Sequence, residues 1–142
     1  MEKQIVIQKL NQALNELYKR DFVLIENKTE EETIIAQLIA YLRPLFDSWN
    51  VDPEYNRDGR ETKRDSAGNQ IFPDILIHHR TPDREERYSP ENNLATAEVK
   101  GYWNTEDRSK DTRKLLDMRK HYGYQYLFRI ELGKDAGKLI EV

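Results

Sequence analysis

At 142 residues the chain has the length of one domain and enough material to bury a core. It has no cysteine, which excludes a disulfide framework and thiolate metal sites, and no apolar run near the roughly 20 residues that a membrane span needs. With 35% charged residues, a mean hydropathy of -0.91 and a formal charge of -3, its expected setting is cytoplasmic, with no membrane partner.

Residues 2 to about 20 place Ile5, Val6, Leu10, Ala13, Leu14, Leu17 and Tyr18 at helical spacing, which predicts an amphipathic helix. A short connection follows, with Phe22 to Ile25 turned towards the core. Thr29 and, three residues later, Glu32 form a capping-box pattern, so a second helix is expected from about Glu30 to Arg43, ending at Pro44. Its apolar stripe is Ile34, Ile35, Leu38, Ile39, Tyr41 and Leu42.

From Trp49 the periodicity changes. Asn50 to Asn56 is expected as a strand interrupted at Pro53, and Arg57-Asp58-Gly59 and Ser66-Ala67-Gly68-Asn69 carry turn chemistry. Ile71 to His79 and Leu94 to Gly101 are expected strands, separated by a polar loop over Arg80 to Asn93. A third helix is expected from Asp107 to His121, with Leu115, Leu116 and Met118 as its apolar contacts and Gly123 as its end. Tyr124 to Leu132 and Lys138 to Val142 complete the β segments. The sum is an α/β domain around a small mixed sheet.

Chemistry concentrates in the two central β runs. Asp74 follows Pro73 and opens Ile75-Leu76-Ile77; Glu98 and Lys100 close the run from Leu94. Side chains alternate along a strand, so Glu98 and Lys100 share one face while Val99 takes the other. Pairing of the two runs would let Asp74 meet Glu98, gathering two carboxylates and an ammonium, the set from which an oxygen-ligated divalent cation and an activated water are built on a sheet. Each residue also has a plainer role: a turn for Asp74, an ion pair for Glu98, a solvated strand end for Lys100.

Among the three acids at the start of the second helix, Glu31 shares the direction of the apolar stripe at 100° per residue, whereas Glu30 and Glu32 diverge from it. An acidic first turn also complements the helix dipole without any site. Between Lys100 and Lys120, seven basic residues face four acids, a local excess of +3 in an otherwise acidic chain. Lys110, Arg113 and Lys114 in this stretch, and Tyr55, Asn56 and Arg57 near the first turn, are the candidates for phosphate and base contact. His78 and His79 point to opposite faces and are expected as strand-end polar residues.

Pro73-Asp74 followed by Glu98-Val99-Lys100 resembles the PD-(D/E)XK nuclease superfamily, the restriction-endonuclease-like phosphodiesterases. An acid-bearing helix upstream and a basic helix downstream extend the likeness over roughly residues 29 to 131. The resemblance implies a restriction-endonuclease-like α/β core and a magnesium- or manganese-dependent nuclease acting on nucleic acid, DNA before RNA. It implies Asp74 and Glu98 as metal ligands, Glu31 (or Glu32) as the helix acid supporting the metal, and Lys100 as the group that positions the nucleophile. Cutting both strands of a duplex would call for a homodimer. The alternative is a catalytically inactive nucleic-acid- or partner-binding module of the same fold.

Overall fold

The structure is a computed structural model, and it describes residues 1–53, 67–68 and 73–142. The first helix, α1 (Lys3–Arg20), buries Val6, Leu10, Ala13, Leu14 and Leu17 along one face, as its spacing requires. The connection after it is itself a short helix, α2 (Phe22–Glu26), in which Ile25 is buried and Val23 is exposed. The next helix, α3 (Glu31–Leu42), buries Ile34, Ile35, Leu38, Ile39 and Leu42. The capping box expected at Thr29 does not form. Lys28 turns the chain with φ of 50° and the Thr29 N–H donates to Leu24 O, so helix entry moves to Glu30, which makes no side-chain cap. Pro44 does not break the chain; α3 tightens there into a 3₁₀ turn over Arg43–Phe46.

Five strands form one sheet in the order β1 (Asn50–Pro53), β2 (Ile75–His78), β3 (Asn93–Gly101), β4 (Tyr126–Leu132) and β5 (Gly137–Glu141). All neighbours are antiparallel except β3 and β4, which run parallel. That parallel pair needs a crossover, and α5 (Ser109–Tyr122) supplies it. The Arg80–Asn93 connection contains one helical turn, α4 (Arg84–Arg87), where Asp83 accepts from the N–H groups of Glu85 and Glu86. Gly123 ends α5 in the left-handed region, and a Cβ there would meet Tyr88 O at 2.5 Å.

Helices cover both faces of the sheet. Ala95, Ala97 and Val99 of β3 belong to the larger core with α1 and α3, whereas Leu76 and Leu127 pack with Leu115, Met118 and Tyr122 of α5 in a smaller one. Leu116, expected among the α5 contacts, is exposed instead, because one residue beyond Leu115 turns it away from the sheet. The strict alternation of β3 sends Val99 to one core and leaves Glu98 and Lys100 under α5.

Candidate functional site

β2 and β3 pair with Ile75 opposite Ala97 and Leu76 opposite Thr96. One step further along this register lies Asp74, across from Glu98. The Val99 N–H donates to Asp74 Oδ2 at 2.8 Å, so the backbone between Glu98 and Lys100 fixes the first acid of the motif. Asp74 is half-buried; Glu98 is 1% exposed.

Glu98 holds the most costly charge in the site. Neither of its oxygens receives a hydrogen bond of sound geometry from the described residues, and the Lys114 ammonium stands 3.1 Å from Oε1. Burial, reinforced by the negative Asp74 carboxyl beside it, pushes Glu98 well above the ordinary carboxylate range, against the pull of Lys114. A buried carboxylate with this deficit of donors is a fitting seat for a hard cation.

Lys100 turns to other partners, with Nζ 3.1 Å from Glu106 Oε2 and 3.9 Å from Asp111 Oδ1. Burial would lower its pKa, but Glu106, Asp111, Asp74 and Glu31 together raise it above the ordinary lysine value. Near neutral pH Lys100 is therefore an ammonium and a proton donor, not a base. Glu31 reaches the same strand end from α3. Its Oε2 accepts from the Gly101 N–H at 2.8 Å and its Oε1 from Asn104 Nδ2 at 3.0 Å.

Sequence reasoning missed Asp111. It is buried, its Oδ2 lacks a hydrogen-bond partner among the described residues, and burial, only partly offset by Lys100 and Lys114, raises its pKa. The signal was present in the helix period. Asp111, Leu115, Met118 and Tyr122 form the buried stripe of α5, so an acid occupied an apolar position. Lys114, expected to face phosphate, is turned inward to Glu98, while Lys110 and Arg113 are exposed on α5. Arg108 is committed to Glu131 at 2.8 Å and to Gly101 O at 3.2 Å. Tyr55, Asn56 and Arg57 lie outside the described residues.

Among the described residues, no group of three or more His, Asp and Glu side chains gathers to hold a metal ion. Asp74 and Glu98 come together; Glu31 stays with Gly101 and Asn104. Two carboxylates are nevertheless a customary protein share for magnesium, which keeps several waters and takes further oxygens from a phosphate substrate. Compared with protein-family models, with curated proteins and with solved structures, the chain matches none.

A second polar cluster lies at β1. His78 Nε2 is 2.7 Å from Asp52 Oδ2, and Arg80 binds both Asp52 oxygens. His79 faces the other way and stacks on Trp49 with ring centroids 4.0 Å apart. The two histidines thus diverge as strand alternation requires, but His78 is buried in a structural ion cluster and is no mere strand-end residue. No helix of the described residues is long and apolar enough to cross a membrane.

Proposed function

We propose that this chain is a divalent-metal-dependent nuclease of the PD-(D/E)XK type, hydrolysing phosphodiester bonds in nucleic acid, DNA before RNA. The observation that carries this reading is Glu98: a sealed carboxylate short of donors, next to Asp74 and two residues before a protonated Lys100. The order of elements around it, from the acid-bearing α3 through β1–β3 to the basic α5 and the parallel β4, supports a restriction-endonuclease-like core.

Asp74 and Glu98 would hold the ion, and Glu31 would support the site from the end of β3. A bound magnesium or manganese ion supplies Lewis acidity and an acidified water. Lys100 offers its N–H groups to a water or a phosphate oxygen and opposes the negative charge that builds on phosphorus. Hydrolysis joins the water oxygen to phosphorus and breaks one P–O ester bond. Lys110 and Arg113, exposed on the same helix, suit contact with the flanking backbone. Two copies would serve the two strands of a duplex.

The test is cleavage of labelled single-stranded, double-stranded and branched DNA, and of RNA, in magnesium and in EDTA, with Lys100→Ala alongside. Metal-dependent cutting that falls at least about 100-fold in the variant is the expected result. Equal cutting by both proteins would refute the assignment. A second reading, an inactive nucleic-acid-binding module, is favoured by one observation: the Glu98 charge is already met by Lys114. Retention of DNA without cleavage in any metal would favour that reading.

A further inference from the structure

We propose that Lys114 is a resident counter-ion at Glu98 which a divalent cation must displace, so that the ion pair and the metal-bound site are alternative states of one protein. The inference rests on the metal-site reading above and concerns what holds that site when no metal is bound.

The Glu98 carboxylate is buried on the α5 face of the sheet, and its oxygens are short of hydrogen bonds. In such surroundings a negative charge persists only beside a positive one. The positive group at hand is Lys114, 3.1 Å from Oε1. A magnesium ion bonded to that carboxylate would lie about 2.0–2.1 Å from an oxygen, closer than the ammonium and on the same group. Two cations sharing one oxygen in a water-poor space repel strongly.

The two lysines of the site differ in position and exposure. Lys100 is gripped between Glu106 and Asp111 and its side chain is 17% exposed. Lys114 stands on α5 beside Glu98 with its side chain 27% exposed, so its long stem gives the ammonium a route outwards to water. Lys114, the ammonium at Glu98 itself, is therefore the one that a cation on that carboxylate displaces. Asp74, Glu98, Glu106 and Asp111 surround Lys100 and Lys114, so a cation that replaces Lys114 enters a space in which acids outnumber the ammoniums.

Mn²⁺ affinity is measured by calorimetry for wild type and Lys114→Met, together with the acetylation rate of Lys114 in wild type, referred to the exposed Lys110. Removing the competitor should tighten Mn²⁺ binding at least about 5-fold, and Mn²⁺ should speed acetylation of Lys114 relative to EDTA. Binding by wild type with equal or weaker affinity in the variant, or with Lys114 reactivity unchanged or lowered, overturns the exchange and leaves the metal site standing. Failure of both proteins to bind Mn²⁺ overturns the metal-site reading and the exchange together. Should Lys114→Met not fold, the acetylation rates in wild type decide alone.

Discussion

Glu98 is costly to the fold, and the proposed metal site would give that cost a use. Its neighbours on β3 are Ala97 and Val99, both buried, and it is as sealed as they are. Its pKa in the folded chain lies above the ordinary value of 4.5, so the folded state binds that proton more tightly than the unfolded one. The contribution of Glu98 is thus most favourable below that value and is lost as pH rises through the folded pKa. Glu98→Gln removes the slope and, in EDTA at about pH 8, raises stability by about 1 kcal/mol, because the buried charge disappears while Lys114 returns to water. Urea unfolding from about pH 5 to about pH 8 checks this. A variant less stable than wild type throughout would show that the Lys114 pair, not burial, dominates. The motif residues were legible because an acid inside an apolar strand contradicts its surroundings. Asp111 followed the same rule on a helix and passed unread, since the acids around it, Asp107 and Asp117, made it look like part of a solvated face.

Elements were legible where period and breaker agreed. The spacing of α1 and α3 and the left-handed end of α5 at Gly123 follow from the sequence alone. The start of α3 did not, because Thr29 is taken by the turn that closes α2, a contact no local pattern announces. The clamp on β1 was equally hidden, since Asp52 and His78 meet only through strand register. Burial works against the charged form of Asp52, but hydrogen bonds and charges from Arg80 and His78 outweigh it and hold the carboxyl well below the usual carboxylate range. The sign is opposite to that of Glu98. Stability from Asp52 is fully present above the unfolded value of 3.8 and is lost as pH falls through the lower folded pKa. Asp52→Asn should cost about 3 kcal/mol at neutral pH, since it leaves Arg80 and His78 facing a neutral group. Chemical denaturation measures it, and a loss below about 0.5 kcal/mol would mean that the cluster is a surface pair in energetic terms.

Taken whole, the molecule divides its labour by face. The α1/α3 face carries most of the apolar core, and the α5 face accepts a polar centre because a smaller cluster of Leu76, Leu115, Met118, Tyr122, Tyr124 and Leu127 seals its other end. The overall charge of -3 hides this arrangement, for the acids gathered at the site are interleaved with Lys100 and Lys114. Calorimetric titration of Mn²⁺ into wild type and into Glu98→Gln asks whether the buried carboxylate holds a metal ion. Glu98 as a metal ligand predicts binding by wild type and its loss in the variant, with a rise in melting temperature in wild type alone, since only the folded chain gathers the two carboxylates. Mn²⁺ binding that is absent from wild type, or equal in the two proteins, would contradict it.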